Sequence, residues 1–305
     1  MNAVDESLLS KIIDTKLTDA TALNIRKNGK LLSRSENENV KIISKEDGSG
    51  IDIYVKENTK RALVMIPVIV TESGIDDVVY NDFHIGKNAN AVIIAGCAIK
   101  NPGDNHSKHN GIHRFFVEEN ANITYLEKHY GKSHGHGDSI LDPVTEIELH
   151  KGAKMKIETV QIEGVTSTKR TTNAHIYDDA TLTVSEKIKT HDKQYASTEF
   201  NVTLDGKNAS THVVSRSVAT DDSYQLFSSK VDGNNECYGH VECDAILKDN
   251  GVVKAVPEIT ASHIDANLIH EATIGKIAGD QLIKLMSLGL SAKEAEETII
   301  NGFLK

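Results

Sequence analysis

Five short stretches share one pattern: NANAVII (Asn88–Ile94), NANITYL (Asn120–Leu126), GAKMKIE (Gly152–Glu158), DATLTVS (Asp179–Ser185) and NASTHVV (Asn208–Val214). Each opens on a polar or glycine turn residue, continues through a small alanine and then alternates apolar with polar side chains. The alanines are Ala89, Ala121, Ala153, Ala180 and Ala209, so the steps are 32, 32, 27 and 29 residues. Recurrence at such a period is the mark of a solenoid, in which each coil buries its face only against its neighbours. Short strands point to a parallel β-helix, and small residues suit the tight corners where coils stack. On periodicity alone, a β-sandwich with alanine in its turns is the rival.

Outward from these repeats the strand pattern holds from residue 24 to residue 276. In GIDIYVKE, Ile51, Ile53 and Val55 alternate with polar residues as in a half-buried strand. The ends read differently. Residues 1–23 hold a helical segment with Leu8, Leu9, Ile12, Ile13 and Leu17 at helical spacing. Residues 277–305 read as a two-helix hairpin. Asp280 is placed to cap a helix bearing Leu282, Ile283, Leu285 and Met286, and Gly289 to end it. Ser291 and Glu294 form a capping box ahead of Ala295, Ile299, Ile300 and Phe303. The hairpin is expected to close the last coil, with any apolar surface left over available to a partner.

Composition narrows the function. The 305 residues carry 34 basic and 44 acidic side chains, a net charge of −10, which argues against a general grip on nucleic acid or an anionic membrane. The longest apolar run, Ala62 to Val70, is too short to cross a bilayer and contains Pro67. Met1 to Ser10 lacks the basic start and apolar stretch of a signal peptide. Three cysteines, Cys97, Cys237 and Cys243, make no disulfide framework, so a reduced cytoplasmic protein is expected. The phosphate-binding loop, the dinucleotide fingerprint, the serine elbow and the C-x-x-C pair are all missing.

Three clusters could carry chemistry. In ECYGHVECDAIL (Glu236–Leu247), alternation puts Val241, Cys243, Ala245 and Leu247 on one face and His240, Glu242 and Asp244 on the other. Cys243 thus keeps apolar company, and a plain core thiol is its simplest reading. In ASHIDANLIHEATIGKI (Ala261–Ile277), His263, His270 and Glu271 are ligand types; neighbours on a strand face opposite ways, so His270 and Glu271 meet at one site only at a bulge or strand end. The 27 residues from Cys243 to His270 are close to one coil, which would set the two segments side by side. A thiolate, an imidazole and a carboxylate together suit iron, zinc or an iron–sulfur cluster. The third cluster is His106, His109, His113, His129, His134 and His136; the glycine-laced NHSKHNGIH and SHGHGDS, which hold all of these but His129, read as exposed loops. The sharper reading there is a metal site between coils.

The C-terminal stretches GHVECDAILKDNGVVKAVPEI (Gly239–Ile259) and LIHEATIGKIAGDQLIKLMSLGLSAKEAEETIINGFLK (Leu268–Lys305) resemble the SufB/SufD family of iron–sulfur cluster assembly proteins. The resemblance continues upstream through ITYLEKHYG, PVTEIELHKGAKMKIETVQIEG, the segment around Lys169 and SRSVA at Arg216, and covers residue 60 to the end. It implies a right-handed parallel β-helix with helical ends. It also implies a scaffold rather than an enzyme, a homodimer or a pair with a SufB/SufD-like paralogue, and docking of the ATPase SufC on the C-terminal helices. A sulfur donor and apo-protein recipients would complete the system. In such a family ATP-driven closure of SufC shifts the dimer interface where a transient iron–sulfur cluster forms. By match to the family's motifs, Cys243 and Glu271 are the residues SufB contributes and His270 the one SufD contributes. The chain departs from the family too. It lacks most of the N-terminal helical region of longer members. His129 stands where SufB carries its sulfur-accepting cysteine, Gln161 matches a residue on the sulfur path, and the tryptophan near it is absent. Cys97 is the substitute acceptor on offer. The rival readings are a SufD-like structural subunit without a cluster and a β-helical metal-dependent enzyme using the central histidines.

Overall fold

The structure is a computed structural model describing residues 3–13, 21–133 and 135–305. Among them are twenty strands and three helices, α1 (Ala3–Ile12), α2 (Gly279–Ser287) and α3 (Ala292–Phe303). The strands form two ten-stranded sheets, one running from Lys30–Ser35 to Ala266–Gly275 and the other from Val40–Ser44 to Val252–Ala261. Successive coils lay one strand on each sheet, which makes a parallel β-solenoid. Among the described residues the only antiparallel pairs are at its N-terminal end, where Ala22–Lys27 meets Lys30–Ser35 and Val40–Ser44 meets Gly50–Val55.

The corner chemistry explains the repeat. In register, Asn90, Asn122, Lys154, Thr181, Ser210, Tyr238 and Asn267 stand in one row. The alanine just before each of the first five is buried. Ahead of each alanine the backbone turns left-handed, at Asn88 (φ 56), Asn120 (φ 58), Gly152 (φ 69), Asp179 (φ 57) and Asn208 (φ 59). Asn, Asp and Gly are the residues that adopt this conformation at least cost. At Gly152 a side chain would also collide with the Asn120 carboxamide, since a Cβ there would lie 2.4 Å from its Oδ1. Cys237 takes the alanine place in the next coil, between Ala209 and Ala266.

Alternation fills the interior, called the lumen below. Phe83 and Phe115 stack across neighbouring coils with centroids 4.4 Å apart, within one continuous core from Ala22 to Cys243. Pro143, which has no N–H to give a ladder, divides one coil's strand into Ser139–Leu141 and Val144–Leu149.

The helices flank this body. Leu8, Leu9 and Ile12 of α1 pack on the outer face against Ile25, Ile69 and Ala98. The capping box at Ser291 and Glu294 starts α3, and Gly289 (φ 99) follows α2 as expected. Asp280, however, is not the cap of α2; the helix begins at Gly279 after Ala278, so Asp280 lies in the first turn, where its charge still favours the helix dipole. The hairpin also does not close the solenoid. Ile300 and Leu304 pack on Val218 and Ile246, on the outer face of the sheet, which leaves the last coil open. Strand parity explains this: Val218 and Ile246 are outward apolar residues that themselves need cover. No helix among the described residues is long and apolar enough to cross a membrane.

Candidate functional site

The open end is where Cys243, His270 and Glu271 lie. The strands Cys237–Leu247 and Ala266–Gly275 are neighbours, but their register step is 29 residues, so Cys243 faces Ala272, Val241 faces His270 and Glu242 faces Glu271. The ladder runs without a bulge from Cys237 to Ile246. Parity then decides the grouping. Cys243 and His270 share the lumen face as diagonal neighbours, and Glu271 points to the outer face beside Glu242. The nearest imidazole to Glu271 is that of His240, with Nε2 3.8 Å from its Oε2.

Both lumen groups are held neutral. Burial pushes the Cys243 thiol up to about 12, and the nearby carboxylates of Glu186 and Asp244 add to the shift. Burial lowers the His270 pKa, with the His240 ring contributing, and His270 Nε2 is buried without a hydrogen-bond partner. A thiol and a neutral imidazole on one face, the imidazole with a nitrogen left without a hydrogen-bond partner, form a latent ligand pair. Metal binding would deprotonate the thiol.

Behind Cys243 a polar row runs down the lumen. Glu127, Thr159, Glu186, Ser215 and Cys243 stand in register on successive coils. Arg170 reaches across from the other sheet, ion-paired to Glu127 and 3.7 Å from Glu186. Burial opposes charge on Glu127, yet Arg170 and His129 outweigh it and hold its carboxyl well below the usual range. Glu186 is the reverse case: burial raises its pKa, and Arg170, Ser215 and Thr198 only partly offset that. Its oxygens accept from Thr198 at 2.9 Å and Ser215 at 2.8 Å. Glu127, Arg170 and Glu186 stand outside the three ligand-type clusters that the sequence offers. Their signal was there: in STKRTTNAHI, Arg170 shares its face with Ala174 and Ile176, and in TLTVSEKIKT, Glu186 follows Leu182 and Val184.

Among the described residues the central histidines form no tightly gathered ligand group, although three of them line one cavity. His109 and His113 lie on a strand and face the lumen, contrary to the exposed-loop expectation, because alternation in Ser107–Val117 sets every second residue inward; His129 faces the lumen too. His106 and His136 are exposed and lie beside Asp138 and Asp104. His134 lies outside the described residues. Cys97 and His129 are register partners that line, with His109, His113 and Glu127, an internal cavity of about 20 Å3, room for one water. Arg170 only donates, so His129 Nδ1, 3.2 Å away, accepts, and Nε2–H points at Glu127. His129 has no lone pair left for a metal. Burial, reinforced by Asp77 and Glu127, pushes the Cys97 thiol far up, which makes it a poor nucleophile.

One group of three ligand types among the described residues is tightly gathered, His191, Asp192 and Asp221 within 4.8 Å. It is a hydrogen-bonded turn. The His191 N–H fixes the Gln194 carboxamide, whose nitrogen donates to Nε2, and Nδ1–H donates to Asp192 at 2.7 Å.

The family model described as "SUF system FeS cluster assembly, SufBD core domain" matches residues 76–303. An iron–sulfur cluster assembly SufBD family protein of Archaeoglobus fulgidus is 27% identical over 282 residues, covering 90% of this chain and 73% of that protein. Its counterpart in Methanocaldococcus jannaschii is 28% identical over 253 residues, 77% of this chain and 74% of the relative. One from Pyrococcus horikoshii is 28% identical over 289 residues, 90% and 84% respectively.

Proposed function

The chain belongs to the SufBD family of the SUF system for iron–sulfur cluster assembly, and from that premise we propose that it builds a transient cluster at its open edge, working with the ATPase SufC. Family membership makes it a scaffold and not an enzyme. Iron and sulfide are its cargo. The observation that carries the proposal is the pairing of Cys243 with His270 on the lumen face of the last two strands of one sheet, the imidazole with a free buried nitrogen. Thiolate suits iron–sulfur chemistry, and a nitrogen ligand holds the product less firmly than a fourth thiolate, which favours release.

The edge also supports pairing of chains. Val252–Ala261 and Ala266–Gly275 each have a ladder neighbour on one side only, and they expose Val252, Val256, Ile259, Ile269 and Ile274. Apolar side chains along unpaired strands invite strand addition by a second copy or a SufB/SufD-like paralogue. Glu271, on the outer face, would then complete the site from around the edge. For SufC, α2 offers Ile283 and Met286, and the residue that follows it Leu288, all of them exposed.

The test is anaerobic reconstitution with ferrous iron and sulfide, followed in the visible. A charge-transfer band that Cys243→Ser abolishes and His270→Ala weakens is the expected result. An undiminished band in Cys243→Ser would remove the lumen pair from the site.

A further inference from the structure

Away from the open edge, a cleft of about 350 Å3 lies between α1 and the outer face of the strands Asn90–Asn101 and Asn122–Ser133. We propose that this cleft binds the di- or triphosphate group of a small molecule. Its polar lining is Ser7 and Lys11 from α1 with Lys100, Tyr130 and Lys132 from the sheet, and every one of these side chains can donate a hydrogen bond. No carboxylate is among the lining residues.

Three observations support the assignment. First, Lys100 and Lys132 are register partners on neighbouring strands, so both side chains rise from the same face one strand spacing apart. Like charges placed directly opposite repel, and no carboxylate among the described residues pairs with either lysine. An anion lying between them would turn that repulsion into attraction. Second, Tyr130 shares this face two residues before Lys132, and Lys11 Nζ sits 5.4 Å from the centre of its ring. The cation–π contact draws the third ammonium from α1 toward the same strand. Third, the buried acid of α1 is spent elsewhere: Asp5 pairs with Lys27 at 2.8 Å, on another face of the helix. In a chain of net charge −10, three lysines around one cleft without a carboxylate make a local positive field.

The donor set selects the ligand class. Lysine acts on phosphate as a compact point charge, and the planar guanidinium that favours carboxylates is missing from the lining. Size points beyond a single phosphate. The cleft is roughly ten times the volume of about 30 Å3 that one water occupies in the liquid, room for two or three linked phosphoryl groups. Val4 and Leu8 add an apolar wall against which an uncharged portion of the ligand can rest. None of these residues belongs to the edge of Cys243 and His270, so the inference stands apart from the scaffold reading.

Tripolyphosphate is the probe, titrated calorimetrically into the full chain at low ionic strength, where charge–charge attraction is least screened. One site is expected. The Lys100→Gln/Lys132→Gln double variant should bind at least tenfold more weakly, and Lys11→Gln should weaken binding too. Lys254→Gln, on the last strand of the other sheet, should leave the affinity unchanged. Citrate, a carboxylate anion of comparable charge, should bind at least tenfold more weakly than tripolyphosphate. Lys11→Gln changes an exposed residue of α1, so it remains informative should the strand variant fail to fold. No binding by the wild type, full affinity in the double variant or in Lys11→Gln, an equal loss in Lys254→Gln, or citrate bound as tightly as tripolyphosphate would each overturn the proposal.

Discussion

Cys243 stands beside Ser215 in the register of adjacent coils, and the Ser215 hydroxyl donates to Glu186 at 2.8 Å. The thiol at the edge is thereby the last step of a polar row that reaches Glu127 four coils back. A lumen packed with Phe83, Phe115 and Phe200 elsewhere gives way here to two carboxylates and a guanidinium. Such groups are tolerated only while they satisfy one another.

Arg170→Met should therefore be costly. It removes the counter-charge of Glu127 and Glu186 together, and breaking a buried pair from one side typically costs about 3–5 kcal/mol. Urea unfolding of the variant checks this. Adding Glu127→Gln and Glu186→Gln should restore part of the loss, whereas a change below about 1 kcal/mol in Arg170→Met would mean the row is not charged.

His113 should make stability fall in mild acid. Burial lowers its pKa from 6.5 to about 4. Between those values the unfolded chain binds a proton that the native chain refuses, so stability declines as pH drops through that window and levels below it. The full effect is about 3 kcal/mol. His113→Leu should flatten this part of the profile of denaturation midpoint against pH. Parallel profiles for wild type and variant would contradict the assignment.

The Cys243 thiol should alkylate slowly. Raised from 9.0 to about 12, it carries roughly 1000-fold less thiolate at pH 8 than an ordinary cysteine. Iodoacetamide labelling followed by peptide mass analysis reads the rate, and labelling as fast as that of a free thiol would show that Cys243 is not held neutral.

Association should depend on the open edge. Val256→Lys and Ile259→Lys place charge on an exposed strand and should shift the chain toward monomer in analytical ultracentrifugation, with the melting temperature little changed. An unaltered dimer would place the contact elsewhere.

Much of this was legible in the sequence, for physical reasons that also mark the limits. The buried corner alanines are a local steric demand, so Ala89 to Ala209 announced the coil and its period. The capping box at Ser291 is equally local. Register is not: the 27 residues between Cys243 and His270 look like one coil, but the true step is 29, because the turn between these strands sets the offset. Hence His270 joins Cys243 diagonally and Glu271 turns away. The histidines misled in the opposite sense. Glycines around His109 and His113 suggested loops, yet Gly111 sits within a strand, where a Cβ would lie 2.5 Å from His113 Nε2. Arg170 and Glu186 were hidden because a charged residue at an inward position acquires meaning only once its partner, Glu127, is seen on another coil.

The most direct test of the account is the iron and acid-labile sulfide content of the chain purified anaerobically as a complex with SufC. Near-equal iron and sulfide in the wild type, both lost in Cys243→Ser while the complex stays intact, is the predicted result. Iron and sulfide retained in Cys243→Ser, or an intact wild-type complex that binds neither even after reconstitution, would contradict it.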